Sequence, residues 1–150
     1  MSAVTDYEHA KGRRGRFGRL ARMLPSRDKP YRPPPRDVCE CDTIYIYPAG
    51  DINGPHQIAV RYAIYRGLVV DFSINQTYTD RGADHDVARI DTSDGTVHRH
   101  QFFADGSDET RTDLHVIPAE RGWAVVDRAY NEALDEMCME WEEKLRRWSR

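Results

Sequence analysis

The sequence predicts an α+β fold, an antiparallel β-meander of about five strands with one long C-terminal helix packed on one face. Two observations lead to this prediction. β-branched and aromatic segments separated by turn-forming residues occupy the middle of the chain, and an apolar stripe at helical spacing occupies its end. At 150 residues the chain has the size of one domain. Its 39% hydrophobic content and mean hydropathy of −0.76 indicate a modest core.

Residues 1–36 are predicted to be a basic, proline-rich arm that precedes a single domain at residues 37–150. The arm holds ten Lys and Arg residues against three acidic residues, a net charge of +7, whereas the domain carries −10. Residues 13–24 (RRGRFGRLARML) are compatible with a short helix that glycines weaken. This charge division suggests an arm that meets a polyanion, although an arm that contacts its own acidic domain, or a solvated tail, would have the same composition. The predicted nucleic-acid-binding residues are Arg13, Arg14, Arg16, Arg19, Arg22 and, within the domain, Arg99.

Five segments have the composition of strands, namely residues 43–47, 58–65, 68–78, 87–92 and 97–103. Arg66-Gly67 predicts a tight turn between the second and third of these strands. Two segments are predicted to be loops, the polar residues 79–85 and the acidic residues 104–113. The third strand alternates between apolar and more polar positions, which predicts one buried face. The residues on that face are Leu68, Val70, Phe72 and Ile74.

One continuous helix is predicted over residues 120–147. Apolar residues recur there at intervals of three and four, so they form a stripe on one helix face. The stripe consists of Val126, Tyr130, Leu134, Met137, Trp141, Leu145 and Trp148. We expect it to pack on the sheet, whereas an exposed end at Trp141 and Trp148 would serve a homodimer or another protein partner.

Asp94-Gly95 lies between two predicted strands and indicates a β-hairpin, because both central residues of a type I′ turn need a positive φ. Counting outward from this turn pairs Asp91 with His98 and Arg89 with His100. Directly opposed residues share a sheet face, as do residues two apart on one strand. The candidate catalytic residues on one face are therefore Arg89, Asp91, His98 and His100, with His85 at the edge. The opposite face, which we expect to receive the helix, holds Ala88, Ile90, Thr92, Val97 and Phe103.

Three chemical interpretations fit this cluster. In a metal-independent ribonuclease, His98 or His100 would exchange a proton with RNA, whose 2′-hydroxyl is the nucleophile. Asp91 would then orient an imidazole, and Arg89 would hold phosphate. A second interpretation is a metal site, because a His-x-His pair facing a carboxylate resembles the 2-His-1-carboxylate ligand set. The third is structural, a cross-strand ion pair on a solvated sheet face.

The segment VARIDTSDGTVHRH at residues 87–100 resembles the R-Y-D-x-x-H-G-x-x-H-R-x core of small uncharacterised bacterial domains, and it is similar to the TumE-like toxins of toxin–antitoxin loci. Ile90 stands in place of the aromatic residue of that pattern, and Asp94 in place of a His. The resemblance extends over roughly residues 58–137. It implies a growth-inhibiting, RNA-directed protein with a cognate protein partner.

The remaining expectations concern location and cofactors. The sequence has no apolar run of the roughly 20 residues that a membrane-spanning helix needs and no secretory signal pattern. Its three cysteines suggest reduced structural thiols. We therefore predict a cytoplasmic protein that has no membrane association, needs no cofactor and uses the cluster without a metal ion.

Overall fold

A computed structural model describes residues 30–150, which form a single antiparallel sheet with two helices on one face. The α+β class and the meander topology are confirmed, because the strands lie side by side in chain order. The predicted helix at residues 13–24 and the five arginines predicted to bind nucleic acid between residues 13 and 22 lie outside the described residues.

The sheet has six strands rather than about five. They are β1 (Glu40–Ile46), β2 (His56–Tyr65), β3 (Leu68–Asp80), β4 (Ala83–Ser93), β5 (Thr96–Phe102) and β6 (Asp108–Val116). The additional strand is β6, which overlaps the predicted acidic loop at residues 104–113. The prediction failed because β6 is an edge strand whose side chains are almost all exposed or half-buried, so it lacks the apolar alternation of a buried strand.

The predicted polar loop at residues 79–85 is also wrong. Strands β3 and β4 continue to a two-residue turn at Arg81 and Gly82, whose φ angles are 52° and 80°. The predicted turn at Asp94 and Gly95 has the same geometry, with φ angles of 51° and 78°. Both central residues lie in the left-handed region, as a type I′ hairpin requires. An Arg-Gly pair is therefore sufficient for a turn here.

The C-terminal segment forms two helices, α1 (Trp123–Met139) and α2 (Trp141–Trp148), instead of one. The break lies at Glu140, where ψ is 16° and leaves the helical region. Two buried glutamines of the sheet hold the second helix in its bent position, because their amides donate to helix carbonyl groups. Gln76 donates to Trp141 O at 2.8 Å and Gln101 to Lys144 O at 3.0 Å.

The core lies between α1, α2 and one face of the sheet. Its fully buried members include Ile58, Val60, Ile74, Ile90, Val97, Val126 and Met137. The predicted buried positions of β3 are confirmed, since Leu68, Val70, Phe72 and Ile74 are at most 3% exposed. Trp148 is 8% exposed and packs edge-on against Tyr78, while the ring of Trp141 lies 4.9 Å from that of His56. The Trp141 and Trp148 end of the stripe therefore packs against the domain's own sheet, and a homodimer through this helix stays a prediction.

Tyr31 belongs to this core although the sequence assigned it to the arm. Its side chain is 7% exposed, and its hydroxyl donates to Val70 O at 2.6 Å. The ring packs against Gly122, where an added Cβ would clash with Ile117 Cγ2 and would lie 2.6 Å from the Tyr31 ring. A glycine is required at position 122 because no space exists for a side chain.

Two further observations complete the description. Cys39, Cys41 and Cys138 are free thiols. Within residues 30–150, no helix combines the length and the apolar character needed to cross a membrane.

An ion-paired group fixes α1 and α2 against the sheet. Glu136 of α1 accepts hydrogen bonds from Arg99 Nε of β5 at 2.8 Å and from Lys144 Nζ of α2 at 3.0 Å. Lys144 is only 6% exposed. Burial raises the pKa of Glu136, but its hydrogen bonds with Arg99 and Lys144 outweigh that effect and leave the pKa below its ordinary value.

We expect Gly122→Ala to lower the free energy of unfolding by about 2 kcal/mol, because the new methyl group overpacks the contact between Tyr31 and Ile117. Thermal and urea unfolding of the full chain would measure the loss. An unchanged unfolding midpoint would show that Tyr31 is not seated against this glycine.

We expect Glu136→Gln to lower the free energy of unfolding by about 2 kcal/mol at neutral pH, because it leaves a buried ammonium group without its anion. The folded-state pKa of Glu136 is depressed, so its contribution is complete above the ordinary glutamate pKa and is lost as the pH falls through the folded-state value. The wild type and the variant should therefore converge in acid.

Glu143→Gln is the matched control, because Glu143 pairs with Arg146 on the exposed surface of α2. Its effect should stay below about 0.5 kcal/mol at every pH. Equal losses for the two variants would contradict the role assigned to the Glu136 group.

Candidate functional site

The β4–β5 hairpin places the predicted site residues together. Asp91 pairs with His98 and Arg89 with His100, which confirms the register counted from the Asp94-Gly95 turn. Arg99 is one residue out of phase with them and points to α1. The side chains of Arg89, Asp91, His98 and His100 therefore share the sheet face that is opposite the helices.

Asp91 and His98 form the buried centre of the cluster. Asp91 Oδ1 lies 2.7 Å from His98 Nε2, and Asp91 Oδ2 lies 2.8 Å from Arg89 Nε. The side chain of His98 is 2% exposed, and its Nδ1 lies 3.2 Å from Thr96 Oγ1. Burial lowers the pKa of His98, and this effect outweighs the opposing attraction of Asp91. His98 is therefore a neutral imidazole at neutral pH.

His100 lies closer to the surface than His98. Its side chain is 11% exposed, and its Nδ1 is 3.1 Å from Asp108 Oδ1 at the start of β6. The ring stacks parallel to Phe102, with ring centroids 5.7 Å apart, and meets His98 edge-on at 4.8 Å. The guanidinium of Arg89 lies over the Phe102 ring, 5.5 Å from the ring centre. His100 is thus oriented by a carboxylate and by an aromatic ring.

Two positions at the edges of the hairpin differ from the prediction. Phe103, which was placed on the helix-facing side, follows the end of β5 and is 39% exposed, while Phe102 joins the polar cluster. The bulge between Gln101 and Phe102 changes the local pairing with β6. The ring of His85 lies 5.5 Å from Trp148, so it belongs to the helix side.

A cleft of about 210 Å³ opens beside the cluster on the same sheet face. Arg36, Arg61 and Arg89 line it together with Asp71 and Asp91. Three guanidinium groups thus face two carboxylates in a concave surface, an arrangement suited to a bound anion.

The sequence analysis missed Arg61, Ser73 and Asp71 because two β-bulges determine their positions. Counting from the Arg66-Gly67 turn pairs Arg61 with Phe72, which faces the core. A bulge between Ala63 and Ile64 instead pairs Arg61 with Ser73. A second bulge, between Gln76 and Thr77, pairs Ser73 with Asp91. Arg61, Ser73, Asp91 and His98 consequently form one row across four strands.

Three side chains of the cluster could hold a metal ion. One donor atom from each of Asp91, His98 and His100 lies within 4.8 Å of the others. Asp91 Oδ1 is fully buried, yet no hydrogen bond with suitable geometry reaches it despite the short contact with His98. Arg89 Nε, another buried atom of the cluster, likewise has no hydrogen bond of suitable geometry.

The sequence was compared with models of known protein families. The family model described as a domain of unknown function, DUF7718, matches residues 43–150. The chain belongs to the DUF7718 family. No curated protein and no solved structure shows significant similarity to it. The family assigns no activity, and it lends no support to the specific resemblance to TumE-like toxins.

The matched part of this DUF7718 chain includes every residue of the cluster and Arg61, but begins after Tyr31 and Arg36. Its Arg99 does not lie with the cluster. The guanidinium forms a two-point pair with Glu136 on the helix side and is 27% exposed. The guanidinium is thus engaged within the domain, and nucleic-acid binding by Arg99 stays a prediction.

We expect Arg99→Gln and Arg89→Gln to have separable effects in this DUF7718 protein. Arg99→Gln should lower the free energy of unfolding by about 1–2 kcal/mol, because it removes a charged hydrogen-bond partner of Glu136, and should leave binding of single-stranded RNA unchanged. Arg89→Gln should weaken RNA binding. Thermal unfolding and fluorescence anisotropy would measure the two effects. Weaker RNA binding by a folded Arg99→Gln variant would show that Arg99 contributes to RNA binding.

Proposed function

We propose that this chain is a small toxin-like domain that binds RNA and acts on its phosphodiester bonds. The observation that carries the proposal is the cleft in which Arg36, Arg61 and Arg89 lie beside the Asp91–His98 pair. Guanidinium groups bind phosphate by paired hydrogen bonds, and the cluster supplies groups that exchange protons or bind a cation. RNA carries its own nucleophile in the 2′-hydroxyl, so a small site is sufficient for cleavage.

The residues have distinct roles in this proposal. Arg61 and Arg36 hold the phosphate, since both line the cleft on the side away from the histidines. Arg89 is positioned by Asp91 and neutralises charge at the border of cleft and cluster. His98 is too buried to touch RNA and therefore fixes Asp91, whereas His100 lies at the accessible edge.

The test is cleavage and binding of a labelled single-stranded RNA, with the matching DNA as a substrate that lacks the 2′-hydroxyl. We expect the wild type to bind RNA with a salt-dependent affinity. We also expect it to cleave RNA but not DNA under at least one of two conditions, in the presence of a chelator or with added Mn²⁺. Arg61→Gln should reduce kcat/KM at least tenfold, because it removes a phosphate contact from the cleft.

Arg146→Gln is the matched control, since Arg146 lies on the exposed face of α2 and pairs with Glu143. It should retain wild-type kinetics. The absence of RNA binding, or equal losses for Arg61→Gln and Arg146→Gln, would contradict the proposal.

In cells, induced expression of the wild type should slow growth, and the double variant His98→Ala/His100→Ala should relieve the effect.

A second candidate is a non-enzymatic interaction module with a protein partner. The outer strand β1 favours it, because Ile44 and Tyr45 are 40% and 55% exposed and one edge of β1 has no neighbouring strand among residues 30–150. Open strand edges accept a strand from a partner, as a cognate antitoxin would supply. Arginine-dependent RNA binding without cleavage under any condition would favour this candidate.

A further inference from the structure

We infer that Asp91, His98 and His100 bind one divalent first-row transition-metal ion. The three donor atoms lie within 4.8 Å of one another, on two paired strands that fix their separation. Two imidazoles and one carboxylate form a ligand set that Zn²⁺, Mn²⁺ and Fe²⁺ accept in proteins. The site itself stands on this geometry, and only its use in cleaving RNA rests on the proposed function.

The neighbours of both imidazoles favour metal binding. The Nδ1 atom of His98 lies 3.2 Å from Thr96 Oγ1, and that of His100 lies 3.1 Å from Asp108 Oδ1. Metal-ligating histidines commonly donate one ring N–H to such an oxygen, which fixes the tautomer and directs the other nitrogen to the metal. In His98 the nitrogen that faces Asp91 is Nε2, which also lies 3.2 Å from Ser93 Oγ, and in His100 the contact with Asp108 leaves Nε2 for a metal.

Asp91 supplies the second line of support. Its Oδ1 atom is fully buried without a hydrogen bond, and a buried carboxylate oxygen in this state is costly. Its Oδ2 atom lies 2.8 Å from Arg89 Nε, which forms an ion pair with it but no directed hydrogen bond. A cation between Oδ1 and the two imidazoles would satisfy the free oxygen. Such a cation would also explain why His98 Nε2 and Asp91 Oδ1 converge to 2.7 Å without a properly directed hydrogen bond.

The surrounding charges permit a cation. Three carboxylates, those of Asp91, Asp108 and Asp113, lie at or beside the two histidines, against the guanidinium groups of Arg89 and Arg111. Three protein ligands leave at least one coordination position open, and Asp91 borders the arginine cleft from which an anion would fill it.

The test uses the full chain, freed of any affinity tag and dialysed against chelator. Co²⁺ titration followed by visible absorption, and Zn²⁺ and Mn²⁺ titration by calorimetry, would report the site directly. We expect one ion per chain, and a rise in Tm with added metal because the ion binds the folded state. Asp91→Asn and His100→Gln should weaken binding at least tenfold.

Two further variants make the test specific. Asp108→Asn touches no proposed ligand atom and lies at a half-exposed position, so the protein should fold, while binding should weaken about tenfold because His100 loses its orienting carboxylate. His115→Gln removes an exposed histidine that pairs with Glu132, away from the cluster, and should keep wild-type affinity.

The outcomes separate this inference from the proposed function. No stoichiometric binding, or a loss for His115→Gln equal to that for Asp108→Asn, would overturn the metal site. RNA cleavage that persists in chelator, with no metal bound, would overturn the use of the ion in cleavage and leave the RNA-directed function in place. Stoichiometric binding that depends on Asp91 and Asp108, without any effect on RNA, would support the metal site and remove the proposed function.

Discussion

The functional face of this protein depends on strand register, because the side chains of a strand alternate between the two faces of a sheet and a shift of one residue reverses them. The two-residue turn at Asp94-Gly95 fixes β4 against β5 and brings Asp91 opposite His98. Two bulges then carry the same row outward to Ser73 and Arg61. Without the extra residue of each bulge, Arg61 would lie among core side chains and the cleft would lose one of its cationic groups.

The two sheet faces differ in how well their buried polar groups are satisfied. On the helix side, the apolar stripe of α1 and α2 and the Glu136 group hold the helices, and Gln76 and Gln101 satisfy helix carbonyl groups. On the other side lie a buried neutral imidazole and a carboxylate oxygen without a hydrogen bond. Groups of this kind reduce stability when no ligand satisfies them, and they concentrate at functional sites.

The cluster was predictable because a local pattern determined it, whereas the cleft was not. Asp94-Gly95 and the spacing around it lie within 12 residues, so counting alone located Arg89 and His100. The position of Arg61 depends on bulges, which have no reliable pattern in a single sequence. The fold shows the same division. The periodicity of the apolar stripe predicted a helix, but the bend at Glu140 and the edge strand β6 depend on tertiary contacts and exposure that periodicity does not report.

The burial of Tyr31 in the core attaches the N-terminal segment to the domain at a fixed point. Pro30 lies against the Gly95 turn, within 3.2 Å of where a side chain would begin, and Tyr31 is anchored beneath it by Val70 and Gly122. The basic residues 1–29 are therefore joined to the domain at the tip of the hairpin that bears the cluster. A polymer bound as proposed in the cleft and also by these basic residues would meet the second surface intramolecularly, at a raised effective concentration. Two individually weak contacts would then act as one strong one.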